Sequence, residues 1–177
     1  MQAKQVAALQ KRFYQNHDYL DDTKKERLLV LGVGNYLMGD EGVGVHVIQA
    51  LDQIKLPVNV DIIDGGTGGF DLMPILSGYP KAIFVDATMD GRPPGSVGVL
   101  HPRFSADFPT VLSAHDVGLK DMIDALEFKN ELPEITLITV SIHSIQPMSI
   151  YLTDPVHRSV SQVIKVLLHL VDKMSNG

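Results

Sequence analysis

The chain contains no cysteine, which removes disulfides, thiolate metal sites and a cysteine nucleophile together. Any metal it holds is therefore bound through nitrogen and oxygen. No apolar run reaches the length that spans a bilayer, and the first residues lack the continuous apolar core of a secretory signal, so the expected address is the cytoplasm with no membrane partner. Basic residues are also few: 15 Lys and Arg against 21 Asp and Glu give a formal net charge of −6. A surface of that sign does not neutralise phosphates, which argues against nucleic acid as a partner. Common catalytic patterns are missing too, since there is no Gly-x-Ser-x-Gly elbow, no His-Glu-x-x-His and no glycine loop followed by Lys-Ser or Lys-Thr. Internal repeats and low-complexity blocks are absent.

What is present is the balance of a globular protein: 177 residues, 45% hydrophobic and 20% charged, enough for one substantial core. Residues 1–27 read as a polar extension, partly helical or mobile, with a weak helical spacing of Val6, Leu9 and Phe13. Residues 28–177 read as the folded domain. Apolar, β-branched runs at Leu28–Val33, Val58–Ile63, Lys81–Asp86 and Ile135–Ile142 predict strands. Helices are expected over Glu41–Gln53, Phe70–Leu76 and Asp116–Glu127, and a last one is opened by Asp154 as cap and Pro155 at the first helical position. Its Val156, Val160, Val163, Ile164, Leu167, Leu168 and Val171 form one apolar face. A Pro-Gly turn before Ser96–Leu100 suggests an antiparallel edge strand. The fold class is α/β: a single three-layer domain with a twisted, mostly parallel sheet and helices on both faces.

The first strand runs into a glycine turn that delivers Asp40 and Glu41 to a helix start. A dinucleotide fingerprint fits at Gly32 and Gly34 but fails at the sixth position, which is Leu37. Fixed acids at a helix start repel phosphate and suit a cation; they also fit a purely structural role, with Asp40 as N-cap and Glu41 as a first-turn acid. Ligands of open parallel sheets bind beyond the carboxyl ends of the strands. Asn35, Asp40 and Glu41 follow the first strand, Asp64 follows the second within Asp-Gly-Gly-Thr-Gly-Gly, and Asp86 follows the third, so four acids could crowd one edge. The glycines after Asp64 leave the backbone free to approach a ligand.

His115, in Ser-Ala-His-Asp-Val-Gly-Leu, precedes a predicted helix and can turn toward the same crevice. One imidazole with two carboxylates and open positions suits nickel, zinc or iron(II) better than magnesium. His46 is expected on another side of the first helix, in solvent. His143 is a weaker candidate for a supporting contact, and His17, His101, His157 and His169 have no nameable partner.

Gly-Val-Gly-Asn-Tyr-Leu-Met-Gly-Asp-Glu-Gly-Val-Gly, Asp-Gly-Gly-Thr-Gly-Gly and Ser-Ala-His-Asp-Val-Gly-Leu, in this order and spacing, resemble the three characteristic segments of the hydrogenase maturation endopeptidases. The resemblance covers the chain from Leu28 onward. It implies an aspartic-type endopeptidase that removes a C-terminal peptide from the large-subunit precursor of a nickel-iron hydrogenase after nickel insertion. It further implies that Glu41, Asp64 and His115 contact that nickel, as metal contacts and catalytic residues at once. On the same implication the nickel would be carried by the substrate rather than bound permanently. The scissile peptide would lie beside Asn35, Gly65, Gly66, Thr67 and Gly68. Two departures stand out. Residues 1–27 have no counterpart in the family pattern, and Ser144-Ile-Gln-Pro stands where members often carry an acid before the proline.

Two other readings keep the same residues. Asp40, Glu41, Asp64 and Asp86 could act as a metal-independent acid and base. Alternatively, the protein could be a non-catalytic chaperone that senses the metallated precursor. The client hydrogenase and the subunit count are left open by the sequence.

Overall fold

The computed structural model describes residues 26–108 and 114–175, without the side chains of residues 105, 114–118 and 175. Five strands form one sheet: β1 (Leu28–Val33), β2 (Val60–Gly66), β3 (Lys81–Thr88), β4 (Val97–Leu100) and β5 (Glu134–Ser141). Their order is β2-β1-β3-β5-β4, parallel except for β4, which runs antiparallel to β5 at the edge. Helices α1 (Val43–Leu51), α2 (Met73–Leu76), α3 (Ala114–Phe128) and α4 (Asp154–Ser175) complete the described elements with three 3₁₀ turns, Gly39–Gly42, Gly69–Leu72 and Ser105–Asp107.

Strand alternation sorts the core into two layers, because successive side chains point to opposite faces. Leu28, Val30, Ile83, Val85, Ile138 and Val140 meet α1 and α4 on one face. Leu29, Leu31, Ala82, Phe84, Ile135 and Leu137 meet α2 and α3 on the other. Every residue of β1 is buried, as the continuous apolar run of a central strand requires. The helix after β1 covers one face and the helix after β2 the other, so the winding reverses between β1 and β3. In sheets of this kind a crevice opens at the carboxyl ends of the two strands flanking that reversal. The Gly39–Gly42 turn, which carries Asp40 and Glu41, packs against β3 there. Gly44 makes the approach possible: a Cβ at that position would collide with the carbonyl oxygens of Val33 and Val85.

Several element boundaries differ from the sequence reading. β2 starts at Val60 because Pro57 to Val60 closes a turn, Val60 N donating to Pro57 O at 3.2 Å; Val58 lies outside the strand. The expected helix Glu41–Gln53 divides into the 3₁₀ turn and α1, which ends at Leu51. The expected helix Phe70–Leu76 likewise divides into the Gly69–Leu72 turn and α2. In α4, His157 N donates to Thr153 O at 2.8 Å, so Thr153 takes the capping position expected for Asp154, and both Asp154 and Pro155 lie in the first turn. Residues 1–25 of the polar extension lie outside the described residues, while Arg27 at its end belongs to the domain. It forms a two-point ion pair with Asp61 of β2, at 2.6 Å and 2.5 Å. No helix among the described residues is long and apolar enough to cross a membrane.

Candidate functional site

Asp64 lies at a bulge. β1 and β2 stay in step from Leu28↔Val60 to Gly32↔Asp64, and then Val33 pairs with Gly66, leaving Gly65 as the extra residue. Bulges re-aim the side chains beside them and end regular pairing. Gly66 adopts φ 49°, a conformation that glycine reaches at no steric cost, and its N–H donates to Asp64 Oδ1 at 3.0 Å. Partial desolvation pushes the Asp64 carboxyl above its ordinary pKa, against the lowering effect of that hydrogen bond.

The same bulge joins Asp64 to the acid-bearing turn. Gly34 N donates to Gly66 O at 2.9 Å. Gly34, at φ 130°, lies so close to the Glu41 carbonyl that a Cβ there would collide with it. The backbone path from Asp64 through Gly66 and Gly34 to Glu41 is therefore continuous and tight. A cleft of about 550 Å³ opens beside it, and Asn35, Asp64, Gly65, Gly66, Thr67 and Gly68 all line it. Glu41 does not line this cleft; it is buried, 3% exposed, in the 3₁₀ turn.

His115 lies in the first turn of α3. Since α3 runs antiparallel to the strands and leads into β5, this turn is at the carboxyl edge of the sheet. α3 also packs against the Gly69–Leu72 turn that follows the glycine segment. The His115 side chain lies outside the described residues, and among the described residues no three His, Asp or Glu side chains gather closely enough to hold a metal ion.

The four acids do not crowd together as the sequence suggested. Asp40, 1% exposed, is neither an N-cap nor directed toward a cation. Its Oδ1 accepts from Thr153 N at 2.7 Å and its Oδ2 from Thr153 Oγ1 at 2.8 Å. Its own N–H donates to Gln146 Oε1 at 2.8 Å. Asp40 thus ties the turn to the start of α4, a structural task that removes it from the acid and base set. Asp86 is buried and accepts from Ala87 N at 2.7 Å. By strand alternation it follows Ala82 and Phe84 toward the α3 face, whereas Asp64 follows Ile62 toward the α1 face.

His46 is not the solvated residue expected. Its ring packs on Tyr36 with centroids 4.9 Å apart, and its Nε2 is buried without a hydrogen-bond partner. Burial first, then the neighbouring His157, lowers its pKa, while a backbone hydrogen bond at Ile150 and the Asp40 carboxylate oppose the shift. His143 is exposed on the loop after β5, and His101 Nδ1 lies 3.2 Å from Thr136 Oγ1. Thr153 is a support of the site that the sequence reading missed, whereas Gln146 lies in the Ser144-Ile-Gln-Pro segment marked as a departure, without its contact to Asp40 being foreseen. Thr153 carried a faint signal, as the residue before an Asp-Pro helix start.

Comparison with known proteins gives a coherent picture. Residues 45–170 match the HycI family model, described as hydrogenase maturation protease. The hydrogenase 2 maturation protease of Escherichia coli K12 is 37% identical over 80% of this chain and 88% of that protein. The hydrogenase expression/formation protein HupD of Rhizobium leguminosarum is 32% identical over 82% of this chain and 74% of that protein. Among solved structures, the hydrogenase maturating endopeptidase HybD from E. coli superposes with a TM-score of 0.77 at 36% identity, covering 83% of this chain and 93% of that one. The [NiFe] hydrogenase maturation protease HybD from Thermococcus kodakarensis superposes with a TM-score of 0.67 at 25% identity, covering 82% and 99%.

Proposed function

The chain belongs to the hydrogenase maturation protease family, and from that premise we propose that it clips the C-terminal peptide from a nickel-iron hydrogenase large-subunit precursor, reading the inserted nickel through Glu41, Asp64 and His115. It is a peptidase, hence a hydrolase. The single observation that supports the site best is the continuous backbone path from Asp64 to the Glu41 turn, bordered by a cleft lined by Asn35 and the Gly65–Gly68 segment. That cleft is where an extended peptide would lie.

The donor chemistry supports the same reading. Two carboxylates and an imidazole are a mixed oxygen and nitrogen set suited to nickel, and the ion arrives with the substrate. Burial of Glu41 in surroundings of low dielectric strengthens its attraction to a cation. The raised pKa of Asp64 marks a carboxylate whose charge the fold disfavours, and an approaching divalent ion reverses that preference. Nickel so placed could serve as checkpoint, as Lewis acid toward the scissile carbonyl, or both. The cytoplasm, where precursor maturation would take place, is the proposed location.

The test is cleavage of purified nickel-loaded precursor by Glu41→Gln and by Asp64→Asn. Each variant should lose processing. Normal turnover by either one contradicts its assignment as a metal contact.

A further inference from the structure

Among the described residues, three exposed apolar side chains belong to two paired loops beside the candidate site. Leu37 is 54% exposed, Met148 91% and Tyr151 77%. They belong to two loops that a short parallel bridge, Met38↔Ser149, holds side by side. Ser149 N donates to Leu37 O at 3.1 Å, Gly39 N to Ser149 O at 2.8 Å and Gln146 N to Met38 O at 3.3 Å. In that register Leu37 is the neighbour of Met148. Ser149 Oγ then bonds both ways with Tyr151, accepting from its N–H and donating to its carbonyl, each at 3.2 Å. Other exposed apolar residues sit elsewhere in the fold: Phe70 in the Gly69–Leu72 turn, Val99 and Leu100 in β4, Phe104 after it, and Val58 before β2 and Phe128 at the end of α3, both at the opposite edge of the sheet.

Two features distinguish this patch from ordinary exposed hydrophobics. The first is strain. Met148 holds φ 63°, a left-handed conformation uncommon for a non-glycine residue and kept only where the surroundings impose it. The hydrogen bonds on either side of it do so, and the result is a thioether side chain held almost wholly in water. The second is position. Leu37 N donates to Asn35 Oδ1 at 3.0 Å, and Asn35 and Tyr36 line the cleft beside Asp64. Leu37 thus stands at the end of the cleft wall, on the loop that continues into the Glu41 turn. Methionine and aromatic residues are the side chains enriched in adaptable protein contacts.

We propose that Leu37, Met148 and Tyr151 form the docking surface for an apolar stretch of the hydrogenase large-subunit precursor adjoining its cleavage point. This rests on the reading of function given above. A protease acting at this cleft on a whole protein covers the ground next to it, and the patch is continuous with the cleft wall. The contact supplies affinity for the precursor while the acids supply the chemistry, so KM and kcat should separate.

The experiment measures binding and cleavage of purified nickel-loaded precursor by the wild-type protein, a Leu37→Ser/Tyr151→Ser double variant, Met148→Gly, and the remote control Phe128→Ser. The double variant should bind about tenfold more weakly or worse, with KM raised and kcat within about twofold. Met148→Gly relieves the left-handed strain, so it should melt higher than wild type while binding more weakly. Opposite movement of stability and affinity rules out misfolding as the cause. Phe128→Ser should bind as wild type does. The proposal is overturned if the patch variants bind within twofold of wild type while wild type cleaves normally, if Phe128→Ser weakens binding equally, or if the patch variants instead convert a dimer of this chain to monomers. Wild-type protein that neither binds nor cleaves the precursor overturns the reading of function, and the docking surface with it.

Discussion

Thr153 gives both of its donors to Asp40, the backbone N–H to one carboxylate oxygen at 2.7 Å and the hydroxyl to the other at 2.8 Å, across 113 residues of sequence. The carboxylate is 1% exposed. This pair fastens the turn carrying Glu41 to the capping residue of α4, so a stability contact also sets the geometry of the candidate site. Hydrogen bonds to a charged group are worth more than neutral ones, about 1.5–3 kcal/mol each. Asp40→Ala should therefore lower unfolding stability by about 3 kcal/mol, because it removes both of these hydrogen bonds to the carboxylate at once. Thr153→Val, which keeps the N–H, should cost about 1–2 kcal/mol. Urea unfolding of both variants checks the order, and equal losses would contradict it.

Asp64 should behave in the opposite way. Its raised pKa means that the folded protein disfavours the ionised form, so at neutral pH the charge works against the fold rather than for it. Asp64→Asn keeps an oxygen for the Gly66 N–H and removes the charge. The variant should melt at or above the wild-type temperature at pH 7 while losing processing. A lower melting temperature would identify Asp64 as a structural residue.

Gly44 faces two carbonyl oxygens, from Val33 and Val85, with no room for a methyl group. Gly44→Ala should force α1 off the sheet and cost about 3 kcal/mol, although alanine is the better helix former by about 1 kcal/mol. Steric exclusion wins by a wide margin. A thermal melt within a degree of wild type would show that α1 sits farther from β1 and β3.

His46 sets the expected pH response. Its folded pKa is lowered from 6.5, chiefly by burial and then by His157. As pH falls through 6.5 the unfolded chain takes up a proton that the folded chain refuses, so stability declines from there down to the lowered folded value. The His46→Phe variant removes the titration and keeps the contact with Tyr36. Its melting temperature should be flatter between pH 7 and pH 5 than that of the wild type. Parallel profiles would locate the acid sensitivity elsewhere.

Much of the fold was legible because buried strands write themselves as apolar runs. β1 and the start of β3 stand where the sequence placed them, and α4 shows the apolar stripe of Val156, Val163, Leu167 and Val171 on the sheet. The division of the first helix was not legible, since an i+3 turn and an i+4 turn share nearly the same apolar spacing. Asp64 and the glycines after it were visible as a cluster at a strand end, and they do line one cleft. Asp40 was misread because its partners Gln146 and Thr153 lie 106 and 113 residues away, and local sequence carries no trace of them. His46 was misread for the same reason: helix phase says where a side chain leaves α1, not that Tyr36 and the Ile150 backbone wait there.

The central claim is that nickel in the precursor licenses the cut, and intact-mass measurement tests it most directly. Purified large-subunit precursor, nickel-loaded and nickel-free, is incubated with this protein and weighed before and after. The account predicts loss of the C-terminal peptide from the loaded form alone. An unchanged mass for the loaded precursor contradicts the protease reading, and equal clipping of both forms contradicts the role given to the metal.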